Sequence, residues 1–555
     1  MKRKREFATG LLFLAIATVF GQETPPPADN SKPDTKQDEQ AAKAAPEPKA
    51  NVVLGWSGWG LSGNENKFRQ YATAPKGLFL KELTFAPTLN RHDAYLDIQS
   101  PWQDDYRLGG TIRLNNGSTY IKASDYRNRF FDVDPSVLQG SERHVSEGMI
   151  RQKITRDFGV SFQERFDRQE QHFAAPLDPL NQRTRIWTVA ADGGLWKDGF
   201  VNLSYSDWRY WDRTQAISDT DTQSWTAGAM QQLGDTLSFH GGYTQSLIKL
   251  PAAGQTNKVE LWTFGGTWLL NNDTTIIGEG RSEKLTLPTV DDAYDRARDS
   301  LRGRIVHNFG SGWSGQFGYD RLALERVNTD HTFVDTPKLH TFDVQFGGRL
   351  SPSVRITASG SRMTMQGGAG METDDPRALY WRNRWSGEVK LDASNDLMNG
   401  YLVFGIHEDR NDVRDVHVRN QNLTFGASFQ AKPELEFYFE SSYDLWSGVT
   451  SDPNNPNLNQ YFPDGTTFTV GSNWTIDSKT YATANYTLFN TSNDNPLGLP
   501  GGNVRGNFFT GSIHYKTPAG FELGLTFSPW QYSDRLYQGM GYNTGLVQLT
   551  AKARF

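Results

Sequence analysis

The sequence predicts an all-β fold, a transmembrane antiparallel β-barrel of about 26 strands preceded by a signal peptide and a disordered N-terminal leader. Three observations carry this: apolar and polar residues alternate with period two along most of the chain, short and long connections alternate strictly, and the chain opens on an export segment. Composition removes the competing classes. The 555 residues contain no cysteine, so the chain has no disulfide framework, thiolate metal site, cysteine nucleophile or CxxCH haem attachment. After the N-terminus no apolar run approaches the ~20 residues that a membrane helix needs. The formal charge of −6 gives no reason to expect nucleic acid as a partner.

Residues 1–21 form the signal peptide. Lys2, Arg3, Lys4 and Arg5 precede the apolar stretch Leu11 to Phe20, which is too short to span a bilayer as a helix. Cleavage after Gly21 removes those four cations and Glu6, which turns the formal charge of −6 into −9. Residues 22–50 are rich in Pro, Ala, Lys, Glu and Asp and contain no aromatic residue, so they bury too little apolar surface to offset the entropy of ordering. They are expected to be a disordered periplasmic leader, and the barrel is expected over 51–555.

The first strand is placed at Asn51–Gly60, followed by the polar loop Ser62–Lys76. About 25 further strands follow from Gly77. Leu423, Phe425, Ala427 and Phe429 alternate with Thr424, Gly426, Ser428 and Gln430. Across the next turn Leu435, Phe437 and Phe439 alternate with Glu436, Tyr438 and Glu440, and Phe521, Leu523, Leu525 and Phe527 with Glu522, Gly524, Thr526 and Ser528. One face is apolar and the other polar. A soluble sheet shares that pattern, but the connections do not fit one. Short turns near Gly234–Asp235, Gly310–Gly312, Ser351–Ser353, Asn395–Asp396 and Asp477–Ser478 alternate with long polar stretches such as Asp132–Val145, Gln169–Gln182, Lys284–Arg296, Glu408–Asn420 and Pro529–Tyr542. Outer-membrane barrels keep short turns in the periplasm and longer loops outside, and an even strand number returns the C-terminus to the periplasm. With ~4.8 Å spacing and ~40° tilt, 26 strands give a backbone diameter of roughly 50 Å, a lumen that needs a filler.

The C-terminal stretch Gly545 to Phe555 places Val547, Leu549 and Phe555 on the lipid side and resembles the terminal signal by which the outer-membrane assembly machinery recognises its substrates. Two polar strands aim charges at the lumen: Glu279, Arg281 and Glu283 on one, Glu434, Glu436 and Glu440 on the other. In a diffusion porin such charges set ion selectivity, and in a sheath they meet the inserted partner or its hydration water. Trp474, Trp530 and Tyr542 near strand ends are read as interfacial rings, with a sugar-binding aromatic slide as the functional alternative. The ten histidines show no HExxH or other zinc spacing and are read as solvated; metal capture at the loop flanked by His407 and His417 is the alternative. The acidic group Asp291, Asp292, Asp295 and Asp299 and the pair Asp219 and Asp221 are candidates for calcium, lipopolysaccharide bridging or plain solubility. No motif argues for catalysis.

The run Asn66-Lys67-Phe68-Arg69-Gln70-Tyr71, followed by Lys76-Gly77-Leu78-Phe79-Leu80, resembles the opening motif of the MtrB/PioB family of outer-membrane porins. The Cys-x-x-Cys that some relatives carry near the mature N-terminus is absent here. The resemblance implies a barrel in the lipid bilayer that sheathes a periplasmic multihaem c-type cytochrome and supports electron transfer across the outer membrane. Haem is then expected on the partner, with no cofactor on this chain and no enzymatic activity. The alternative is a solute-diffusion porin.

Overall fold

Lipid offers no hydrogen-bond partner to a bare peptide group, so a sheet can cross a membrane only by closing on itself. The computed structural model shows that closure. It describes residues 50–555 apart from 72–75, 90–91, 101–104, 116, 131–137, 174–179, 215–218, 287–293, 328–333, 368–380, 414–415, 451–462, 493–502 and 536. The expected signal peptide and almost all of the leader lie outside the described residues. Twenty-six long strands form one antiparallel sheet in which each pairs with its sequence neighbours, and two further strands of two residues each, Thr88–Leu89 and Val334–Asp335, extend hairpin ends. The first strand, Ala50–Gly63, pairs with the last, Tyr542–Arg554, from Asn51↔Arg554 to Gly63↔Tyr542. Beyond that ladder the Ala50 N–H donates to the Phe555 carbonyl (3.1 Å) and the Phe555 N–H to the Ala50 carbonyl (2.9 Å). Among the described residues no helix is long and apolar enough to cross a membrane.

The period-two pattern sorts the side chains. Leu54, Trp56, Leu203, Phe264, Phe346, Phe437, Leu525 and Leu549 stand exposed on the outer face, where lipid covers them. Register keeps the faces in step, since Trp56, Leu549 and Leu525 are direct cross-strand partners. Aromatic rings gather on this face in contacting rows: Trp187 to Tyr205 (5.2 Å between centroids), Tyr205 to Trp225 (4.3 Å) and Tyr243 to Trp262 (4.5 Å). Amphipathic rings favour the membrane interface, so these rows mark the edge of the apolar band.

The strands are longer than the sequence suggests. Several take up residues expected in loops: Leu138–Lys153 and Phe158–Phe173 invade two of the expected loops, and Met398–Asn411 and Val416–Lys432 leave only residues 412–415 between them. The physical reason is that lipid enforces alternation only inside the bilayer. Above it both faces meet water, so His417, Arg419 and Gln421 occupy the outward parity that Leu423, Phe425 and Phe429 hold lower down, while the backbone ladder continues unchanged.

The opposite rim is built from tight turns. Ser311 and Gly312 both have positive φ (52° and 78°), the pairing a two-residue hairpin of the I′ type requires, and the ladder closes around them at Gly310↔Trp313. In the turn between Asp464–Thr475 and Thr480–Ser492, the Asp477 carboxylate accepts from the Lys479 N–H (2.7 Å) and the Thr480 N–H (2.8 Å). The Lys479 amide bond, reinforced by that of Thr480, holds the carboxyl below its ordinary range. A carboxyl with a depressed folded-state pKa stabilises the fold above its unfolded value near 3.9, and that contribution is lost as pH falls through the folded value. Asp477→Asn is therefore expected to lower the thermal midpoint at pH 7, read from the heat-dependent shift in gel mobility, and to match the wild type once the pH lies below both values. A difference between the two proteins that stays constant from pH 7 to pH 3 would refute this.

Candidate functional site: the barrel lumen

The inner face is polar over most of its height, with apolar clusters such as Leu324 with Leu339 and Val416 with Val418 near the rim of the long connections. Hydroxyl pairs bridge neighbouring strands: Ser224 to Ser246 (2.7 Å), Thr226 to Thr244 (3.1 Å), Ser361 to Ser386 (2.8 Å), Thr424 to Ser442 (3.0 Å), Thr469 to Thr487 (3.2 Å) and Thr483 to Ser512 (2.7 Å). Such pairs stabilise a sheet while leaving a surface that water or a hydrated protein can wet.

Charge on the wall is partly matched within the wall. Glu279, Arg281 and Glu283 occupy alternate positions of Thr274–Thr286, opposite in face to Ile276. Glu279 meets Arg302 at 3.9 Å, and Arg302 in turn meets Asp320 at 3.0 Å. Arg281 reaches Glu283 at 2.5 Å, and Glu283 is buried. On the wall of Leu435–Thr450, Glu436 accepts from the Asn473 amide (3.0 Å) and Glu440 accepts from the Tyr401 hydroxyl. Glu434 falls in the turn before that strand, where its carbonyl accepts the Thr475 N–H (2.8 Å). Asp409, buried against the wall, receives Arg384 through two bonds of 2.6 and 2.9 Å and His407 at 3.0 Å. The arginine-paired carboxylates face the lumen as fixed dipoles, whereas Glu436 and Glu440 are held by neutral donors and keep their charge toward it.

Several readings of the sequence are revised. His407 and His417 do not converge: His407 lies on the lumen face beside Asp409, whereas His417 lies on the outer face, 3.1 Å from Glu408. Asp295 is held by Arg326 (2.9 Å) and Asp299 accepts from Ser282 (2.6 Å), so these two carboxylates are engaged by protein groups; Asp291 and Asp292 lie outside the described residues. Trp474 is on the outer face, but Trp530 and Tyr542 point inward. They are even-numbered neighbours of the outward Leu525, Phe527 and Leu549, and parity places them in the lumen, where a second element covers them. Val547 and Leu549 share the outer face, and Phe555, 70% exposed, follows the last strand.

That covering element is a short helix, Glu65–Tyr71, which lies within the expected loop Ser62–Lys76. Asn64 caps it, its side-chain oxygen accepting the Lys67 N–H (2.9 Å). The Asn64 N–H donates to the Gly541 carbonyl (2.8 Å), which ties the start of the helix to the last hairpin. Phe68, 1% exposed, packs on Trp59 (5.1 Å between centroids), Tyr542 (5.6 Å) and Trp530 (6.3 Å), and Tyr532 and Val504 complete the cluster. The helix therefore sits against the inner wall across the junction of the first and last strands.

No family model matches the chain, and no curated protein matches it. Among solved structures, the copper transporter OprC aligns over 92% of this chain and 80% of its own, at 10% identity and a TM-score of 0.50. The FrpB iron transporter of Neisseria meningitidis aligns over 93% and 82% at 10% identity, with a TM-score of 0.49. The ferric citrate transporter FecA aligns over 92% and 79% at 10% identity, with a TM-score of 0.45. At such identity the likeness is one of fold. With the closed sheet and the outward apolar band, it makes this chain a 26-stranded β-barrel of the bacterial outer membrane.

Proposed function

We propose that the barrel sheathes a periplasmic multihaem c-type cytochrome and so supports electron transfer across the outer membrane. The observation that carries this reading is width combined with the character of the wall. Twenty-six strands enclose a lumen wider than that of the 16- to 18-stranded porins and of the plugged 22-stranded transporters. Among the described residues, only the helix Glu65–Tyr71 and two single-turn 3-10 segments, Pro251–Ala253 and Gln538–Met540, stand outside the strands. A lumen of this width left open would abolish the permeability barrier, and a separate folded protein seated in it would restore that barrier. The wall suits one, because over most of its height its hydroxyls and hydrogen-bonded charges present a hydrated surface, with apolar clusters at the rim of the long connections and at the seam under Phe68. The run resembling the MtrB/PioB opening motif contributes Phe68 and the helix at the seam. The low-dielectric barrel and bilayer would insulate a chain of haems carried by the partner, while this chain supplies no redox group.

The test is purification of the tagged barrel in mild detergent from the outer membrane of its native host, grown so that its cytochromes are expressed. A c-type haem spectrum in stoichiometric amount in the eluate is the expected result. A colourless barrel that conducts ions in planar bilayers would overturn the proposal in favour of a diffusion porin.

A further inference from the structure

The outer face carries a group of cations that neither the lumen nor the apolar band explains. On Phe158–Phe173 and Leu180–Trp196, Arg168 and Arg183 are direct cross-strand partners, and Arg183 pairs with Trp211 of the next strand, Gly199–Asp212. Arg183 shares its parity with Trp187 and the lipid-facing Val189, and Arg168 shares its own with the lipid-facing Phe162, so both point outward. Four residues separate Arg183 from the girdle ring Trp187, roughly 13 Å along the strand and about 10 Å along the membrane normal. This is headgroup level, on the side of the long connections and hence of the outer leaflet.

Ion pairing is incomplete there. Elsewhere in this sector of the outer face the arginines have carboxylates: Arg127 with Glu142 (2.7 Å), Arg185 with Glu164 (2.7 Å) and Arg209 with Asp207 (3.0 Å). Arg168 is engaged by Glu170, and that carboxylate also accepts from the Asn181 amide (2.7 Å). Arg183 reaches only the Asn181 side-chain oxygen, at 3.4 Å, while Arg168 and Arg213 lie close enough to repel it. Arg213 is tethered by its backbone N–H to the Asn181 carbonyl (3.0 Å). Among the described residues neither Arg183 nor Arg213 has a carboxylate at ion-pair distance. Three guanidiniums around one carboxylate repel one another unless a further anion joins them.

We propose that Arg168, Arg183 and Arg213 form a binding site for the phosphate groups of an outer-leaflet lipopolysaccharide. Guanidinium forks match phosphate oxygens in bidentate fashion, and the Phe166 and Trp211 rings, 6.4 Å apart, give the lipid an apolar contact at the same level. The site lies on the outer wall and is independent of what fills the lumen.

The test compares wild type with Arg183→Ala/Arg213→Ala, purified and stripped of lipid, in titrations with purified lipopolysaccharide. Each lost charge-assisted bond is worth about tenfold or more in affinity, so the double variant is expected to bind at least about a hundredfold more weakly. Lys432→Ala, at the strand end on the opposite rim, is expected to bind as the wild type does. Arg213→Ala alone, beyond the end of the strand, serves if the double variant fails to assemble, and about a tenfold loss is expected. Equal binding by wild type and variants overturns the proposal. So does equal binding of phosphatidylglycerol vesicles, which would mark a generic anionic surface, or full competition by millimolar inorganic phosphate, which would mark a free-phosphate site.

Discussion

Phe68→Ala is expected to destabilise the barrel by about 3–5 kcal/mol, the usual cost of emptying a buried phenylalanine site. The side chain is 1% exposed and fills the space between Trp59 of the first strand and Tyr542 of the last, with Trp530 and Tyr532 behind it. The loss should be local. The helix it anchors touches the strands on both sides of the closing seam, so hydrogen exchange should quicken first in Ala50–Gly63 and Tyr542–Arg554. The seam joins residues nearly five hundred positions apart, and every other strand pair joins sequence neighbours. It is thus the contact with the largest loop-closure entropy, and the one with most to gain from a clamp. Phe68→Leu, which keeps most of the volume, should cost less than about 1.5 kcal/mol. A Phe68→Ala protein whose exchange rises uniformly around the sheet, or not at all, would show that the helix is a passenger in the lumen.

This clamp also marks the limit of what the sequence discloses. Alternation, turn spacing and an even count lead to a closed barrel of about 26 strands because lipid and closure impose those patterns on every strand alike. The helix Glu65–Tyr71 escapes because seven residues make fewer than two full turns, too short a stretch for a 3.6-residue periodicity to show. Trp530 and Tyr542 mislead for a different reason: a ring at a strand end satisfies the membrane interface and a lumenal cluster equally well. Parity from Phe527 and Leu549 decides between the two, and it was legible. Arg168 and Arg183 immediately flank the expected loop Gln169–Gln182, and their pairing stays hidden because both strands run on into that stretch, where the alternation that identifies a strand is lost. The lumen charges are harder still. Glu279 beside Arg302 and Glu436 beside Asn473 give the same alternating sequence whether the wall meets water or a protein.

Leu549→Arg is expected to cost about 2–4 kcal/mol, the penalty for a cation near the midplane on the lipid face of a barrel, whereas Gln548→Arg, one residue earlier and facing the lumen, should change stability by less than about 0.5 kcal/mol. Leu549 is 48% exposed on the outer face between Trp56 and Leu525, while Gln548 lies on the polar wall between Ser57 and Thr526. Reversible unfolding by denaturant in vesicles measures both, and equal losses would mean that the two faces are wrongly assigned. A third variant separates two roles of Leu549. Leu525→Arg places the same charge at the same height on the neighbouring strand, outside the C-terminal segment, so the lipid penalty should be the same for both. If the terminal residues Val547, Leu549 and Phe555 are also read by the assembly machinery, Leu549→Arg should lower the amount of folded barrel in the outer membrane several-fold below that of Leu525→Arg, although the purified proteins are equally stable. Equal amounts in the membrane would reduce the role of Leu549 to its contact with lipid.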